Sequence, residues 1–317
     1  MRVERKPMMD ECSALKMMKP LTLRDGGRMN PVNIGDLFVL SPYNGAEIKI
    51  SEWSLDVGGL VQRPRKFSYT DLTGSFTEIH EFATLECVIN EAGGKMVGTA
   101  LWSGVALREI LNDVGVDPGA IEILFNAADG LSNIPLDEGL KPQTLLAYEM
   151  NGRPLPIDNG FPLRLVVPGF YGFMWRKWLT GIEAIGEKFI PPQDLETPPK
   201  AERLVLTTKL LRPSGEQTVP EGPYSIVGAS WGSEVGIERV DVSVDGGVNW
   251  EKAEIIWKPQ TPHAWTLWEL LWEPLGGGDY TVTARATDKK GRTQSMIRSE
   301  PYPSGLAGLD RARVIVR

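Results

Sequence analysis

A chain of 317 residues has room for two domains, each large enough to bury its own core. Its formal net charge of -7, from 34 Lys and Arg against 41 Asp and Glu, offers no basic stripe for nucleic acid or an anionic membrane. Two cysteines in unlike contexts and two histidines far apart argue against a disulfide framework, an all-cysteine cluster and a histidine-rich metal site.

Residues 1–33 are Met- and Lys-rich without periodicity and read as an N-terminal arm. They lack the continuous apolar segment and small-residue cleavage site of a signal peptide. Apolar runs elsewhere are broken well short of the roughly 18 residues a spanning helix needs. As written the chain reads as cytoplasmic, with a periplasmic location expected if the N-terminus has been trimmed. No phosphate-cradling loop, dinucleotide fingerprint or covalent haem motif is present in the sequence.

A first domain is expected over 34–190, mixed α and β with many short strands. DLFVLSPYN and EIKISEWSLDVGGLV alternate like short strands, and SYTDLTGSF carries turn signals. Next comes EFATLECVINEAGG, an apolar run suited to a buried strand, closed by two glycines, with Cys87 where strand gives way to loop. A lone buried cysteine is more often an inert small hydrophobe than a ligand, and composition leaves both readings open. In SGVALREILNDVG, Val105, Leu107, Ile110, Leu111 and Val114 recur at helical spacing, Ser103 is a candidate cap and Gly115 a stop. IEILFNAADGL alternates and turns at Asp129-Gly130, and Asn151-Gly152 between apolar runs signals a hairpin. LRLVVPGFYGFMWRKWLTGIEAI reads as strand, Pro168-Gly169 turn, loop and strand.

FIPPQDLETPPKAE has the composition of an extended linker, placed at 191–200. Beyond it, over 201–317, the pattern is strands alone. RVDVSVD and YTVTARATD alternate, with turns at 245–247 and 276–278, the pattern of an immunoglobulin-like sandwich without its disulfide. Trp231, Trp250, Trp265 and Trp268 are expected to fill its core.

Together these segments resemble the sulfite oxidase family of molybdopterin-dependent oxidoreductases, in order and across both domains. TLECVIN is similar to the family's T-L-x-C-x-x-N, with Cys87 and Asn90 at matching places. LLAYEMNGRPLPIDNGFPLRLVVPGFYGFMWRKWLTGIEAI resembles its hairpin and pterin-phosphate segment, and GASWGSEVGIERVDVSVDGGVNW with AWTLWEL its dimerisation domain. The resemblance implies an α+β molybdopterin domain of sulfite oxidase type followed by an all-β immunoglobulin-like dimerisation domain. It also implies one molybdenum held by one pterin dithiolene and by Cys87, a soft sulfur ligand set on which oxygen-atom transfer proceeds. Arg164 and Lys177 stand at positions that bind the pterin phosphate, Asn159 where many members have a histidine, and Asp129 near a carboxylate that reads the pterin edge. Phe38 and Asn90 complete the implied cofactor-binding set.

The substrate landmarks differ. Where sulfite oxidases read C-A-G-N-R-R this chain has C-V-I-N-E-A, so Glu91 replaces an arginine. Phe38-Val39-Leu40-Ser41-Pro42 stands for F-V-R-N-H, which leaves Leu40 at another arginine position. The expectation is therefore a sulfite-oxidase-like enzyme with an altered pocket for a small-molecule substrate, a separate electron-transfer partner such as a haem protein, and a homodimer. Reduction of an organic sulfoxide on the same cofactor is one alternative. A non-catalytic dimeric binding protein is the other.

Overall fold

A computed structural model describes residues 10–32, 37–39, 48–189, 203–232, 234–302, 304–305 and 307–317. The expected linker at 191–200, Leu40 to Pro42 and most of the strand expected in DLFVLSPYN lie outside them. The chain divides into two compact units, each discontinuous. One comprises Met1–Lys16, Val39–Glu81 and Ala100–Glu196, and the other Met17–Phe38, Phe82–Thr99 and Thr197–Arg317.

In the first unit, alternating Leu55 and Val57, Ile123 and Phe125, and Ile182 and Ala184 put one apolar face on a five-stranded sheet. Its order is Arg65–Ser68, Ser54–Gly59, Leu179–Ile185, Glu122–Ala127, Gly130–Pro135. Leu179–Ile185 runs parallel to Ser54–Gly59 and antiparallel to Glu122–Ala127. The helix Leu107–Val114 buries Leu107, Ile110, Leu111 and Val114, each contributing roughly 1.5–3 kcal/mol of apolar burial. Gly115, at φ 68°, ends it in the left-handed conformation and donates its N–H back to Leu111 and Asn112.

A second sheet runs Arg153–Pro154, Leu145–Met150, Val97–Ala106, Glu78–Glu86, with Arg164–Val166 also paired to Leu145–Met150. Asn151 and Gly152, both at positive φ, make its hairpin turn as expected. The strands Glu78–Glu86 and Val97–Ala106 carry the chain into the second unit after Glu81 and back after Thr99. The loop between them holds Cys87.

The second unit packs Thr207–Arg212, Tyr224–Trp231, Thr266–Trp272 and Glu254–Trp257 against Glu216–Val219, Arg311–Val316, Gly278–Asp288, Ile237–Ser243 and Glu251–Lys252. Leu210, Ile226, Trp268 and Leu270 from one sheet meet Val240, Val242, Val282 and Val314 from the other in a single core. This is the expected sandwich. Trp231, Trp265 and Trp268 are buried, while Trp250 is half-buried beneath the Arg285 guanidinium, 4.1 Å from its ring centre.

Three local expectations fail for physical reasons. Ser103 caps no helix: Val97–Ala106 stays extended in its sheet through Ala106, and the helix begins one residue later without a side-chain cap. SYTDLTGSF is a short helix, Tyr69–Gly74, started by a reciprocal capping box between Ser68 and Asp71. The described part of the N-terminal arm is regular, with a helix Glu11–Met17 and a small hairpin of Leu21–Thr22 and Arg28–Met29. Among the described residues no helix is long and apolar enough to cross a membrane.

Candidate functional site

In the first unit the structure brings together Arg164, Lys177, Asn159 and Asp129. Arg164 opens the fully buried strand Arg164–Val166 and is itself 4% exposed. Its guanidinium lies near the rings of Trp102 and Trp175, 5.2 and 5.8 Å from their centres, and its Nη1 donates to the Asn159 carbonyl at 3.1 Å. Lys177, 5% exposed, lies 4.5 Å from the centre of the Trp178 ring and donates from Nζ to the Asp158 carbonyl at 3.0 Å. The Lys177 backbone N–H donates to the Asp129 carboxylate at 3.2 Å, and Arg176 ties the same turn by donating to the carbonyls of Asp129 and Leu131.

Gly160 lets these groups close up. It sits at φ 111°, and a Cβ there would lie 3.1 Å from Lys177 Cβ and 3.2 Å from Arg164 Cβ. Trp178 adopts φ 55°, an uncommon conformation for a bulky residue, held by its indole donating to the Ile157 carbonyl at 2.8 Å.

Burial pushes the Arg164 guanidinium down to about 10, against the pull of Asp129. Burial and then the Arg164 charge push Lys177 down to about 8. Burial likewise raises Asp129, against Arg176, the Lys177 N–H and the two buried cations. Each buried cation donates to a backbone carbonyl, and among the described residues Arg164 Nε and the Trp175 indole N–H are buried with no acceptor. Unmet donors beside two buried cations have the chemistry to take an anion.

In the second unit the loop after Glu78–Glu86 carries Cys87 and Asn90. Cys87 is half-buried, at the mouth of a turn. Burial pushes its thiol up, while the backbone N–H groups of Ile89 and Val88 bond it and favour the thiolate. Asn90 is 2% exposed; its amide donates to Glu86 at 3.0 Å and accepts from the Met96 N–H at 3.0 Å. Phe38 is half-buried in the same unit, and Glu91 and Lys95 are exposed.

Sequence reasoning missed Glu86. It is fully buried, accepts from the Trp231 indole at 2.8 Å, and burial pushes its carboxyl up to about 7. The signal was there: a carboxylate inside the apolar run FATLECVI must be satisfied by buried donors.

The model for the oxidoreductase molybdopterin binding domain matches residues 43–190, and that for the Mo-co oxidoreductase dimerisation domain matches 201–300. Sulfite oxidase of Arabidopsis thaliana is 32% identical over 305 residues, covering 77% of each chain. The chain belongs to the sulfite oxidase family. Mitochondrial sulfite oxidase of Homo sapiens is 33% identical over 225 residues, 61% of this chain and 41% of that one. The chain thus spans about two fifths of the length of that family member. Nitrate reductase [NADH] of Petunia hybrida is 28% identical over 287 residues, 71% of this chain and 32% of that one. The fold matches the crystal structure of the sulfane dehydrogenase SoxCD from Paracoccus pantotrophus, with TM-score 0.77 and 23% identity over 100% of this chain and 95% of that chain.

Within the sulfite oxidase family the cofactor is molybdenum bound by molybdopterin, and the residues present fit it. The unmet Arg164 Nε beside Lys177 suits the pterin phosphate, and a half-buried thiol facing two N–H donors suits a metal-bound thiolate.

Proposed function

We propose that this chain is a molybdenum-dependent oxidoreductase that performs oxygen-atom transfer on a small molecule, sulfite-oxidase-like but with an altered substrate pocket. The carrying observation is the buried pair Arg164 and Lys177: each donates to a backbone carbonyl, and the Arg164 Nε has no acceptor among the described residues. Bound molybdopterin supplies the metal whose two-electron change accompanies oxygen-atom transfer.

In this reading Cys87 binds the metal as thiolate, and the Val88 and Ile89 N–H groups stabilise negative charge on its sulfur. Arg164 and Lys177 hold the phosphate out of water, and Asn159 contributes its carbonyl to orienting Arg164. Asp129 fixes the Lys177 backbone, while Asn90 shapes the cysteine loop and Phe38 lines the cofactor. Electrons leave through a separate redox partner, and the second domain pairs two copies into a homodimer. The proposed limits are an arm at 1–33, the molybdopterin domain at 34–190, a linker at 191–200 and the dimerisation domain at 201–317. Family matches that end at 190 and resume at 201 support them.

The altered pocket rests on Glu91, exposed on the cysteine loop where sulfite oxidases carry an arginine. Arg176 does not replace it, being tied to the carbonyls of Asp129 and Leu131. A dianion gains little from such a surface, so a less charged substrate is expected, and an organic sulfoxide undergoing reduction is the second reading. Elemental analysis with steady-state assays on sulfite and dimethyl sulfoxide tests both levels. The expected result is stoichiometric molybdenum, weak sulfite turnover, and a folded, inactive Cys87→Ser variant. Metal-free protein from a molybdenum-replete host would sink the enzyme reading; sulfite turnover at ordinary efficiency would sink only the altered pocket.

A further inference from the structure

Cys87 sits in a hydrogen-bonded frame that closes on itself. Its N–H donates to the Met96 carbonyl at 3.0 Å, and its carbonyl accepts from the Asn90 N–H at 2.9 Å. Met96 N–H in turn donates to Asn90 Oδ1 at 3.0 Å, so both backbone ends of Cys87 lead to Asn90, one through its backbone N–H and the other through Met96 and its side chain. That side chain is aimed by Glu86, whose Oε1 accepts from Asn90 Nδ2 at 3.0 Å and whose Oε2 accepts from Trp231 Nε1 at 2.8 Å. Glu86, Asn90 and Trp231 are 0%, 2% and 1% exposed, so water does not compete for these bonds. Lys209 holds the far side of the loop by donating to the Gly94 carbonyl at 2.6 Å. Gly94 must lack a side chain, since a Cβ would come within 2.4 Å of Asn90 Oδ1.

The direction of every bond is fixed. Met96 N–H and the Trp231 indole can only donate, so Asn90 must turn its oxygen to Met96 and its nitrogen to Glu86, and position 86 must offer two acceptors. A carboxylate does so. Glutamine would present an NH2 group to one of the two donors.

We propose that Glu86 and Trp231 are positioning residues for the metal thiolate: the indole in the strand Tyr224–Trp231 aims Glu86, Glu86 aims Asn90, and Asn90 sets the turn that presents Cys87. The dimerisation domain thereby takes part in building the metal site. The inference rests on the reading of Cys87 as the molybdenum ligand.

Two readouts on the full chain test it, in a Cys12→Ser background that leaves Cys87 as the one thiol. In metal-free protein, Trp231→Phe and Glu86→Gln should each speed alkylation of Cys87 by iodoacetamide at least about fivefold, because a buried donor or acceptor loses its partner and the turn opens more often. In loaded protein the same variants should shift the thiolate-to-molybdenum charge-transfer band. Trp272→Phe, a comparable loss of ring from the neighbouring strand Thr266–Trp272, should do neither. Wild-type alkylation rates in both frame variants would overturn the proposal, as would an equal acceleration by Trp272→Phe, which would mean general loosening. If the wild type takes up no molybdenum, the functional reading fails, and the alkylation rates still judge the frame.

Discussion

A guanidinium and an ammonium held side by side below the surface repel one another, and in the proposed reading the cofactor's phosphate relieves that repulsion. Lys177 makes this testable. Without the anion its pKa is pushed down to about 8 by burial and by Arg164. The unfolded chain therefore holds one more proton between about pH 8 and the ordinary lysine value near 10.4, and the empty chain gains stability as pH rises through that window. Anion binding favours the protonated amine, so phosphate affinity runs the other way: full below about pH 8 and falling by up to about tenfold per unit above it. Cofactor retention in loaded protein, followed by pterin release at about pH 7 and pH 9, checks this, and Lys177→Met should flatten the dependence. The resemblance of one long block pointed to both cations, and the structure buries them. Glu86 was not legible, since a sequence names residue types and leaves open which donor faces which acceptor.

Among the elements, the tight turn Ile157–Asn159 and the strand Arg164–Val166 matter most, joined through Gly160. Gly160→Ala would place a methyl group against Lys177 and Arg164 at a φ of 111° that L-residues avoid. The expected cost is roughly 1–3 kcal/mol in denaturant unfolding, with a lower molybdenum content than a surface glycine variant at Gly222. Local chemistry announced several elements: the Asn151-Gly152 hairpin, the helix ending at Gly115 and the alternating strands of the sandwich. It misled at 103–106, where helical spacing begins before the helix does. There the register shifts between Ser103 and Gly104 in the pairing with Leu145–Met150, and a side chain at Gly104 would strike the Leu146 carbonyl. Sheet pairing overrode local preference. Ser68 and Asp71 erred the other way, as a capping box reads like a turn until its helix is seen.

At the scale of the whole molecule, the chain visits its second unit three times, through Met17–Phe38, Phe82–Thr99 and Thr197–Arg317. A chain cut after residue 200 should therefore lose more than a pairing surface. It keeps Arg164 and Lys177 but strands Glu86 without the Trp231 indole and Gly94 without Lys209. The expected result is a molybdenum content well below that of the full chain, measured on protein purified from the same host; equal loading would show that the cysteine loop stands alone. The interleaving also bears on how the protein is made. The thiol leaves the ribosome long before the strand that frames it has been translated, and passes the early life of the chain as an unsupported loop. If the Trp231 bond to Glu86 sets that loop, cofactor insertion waits on the last third of the polypeptide.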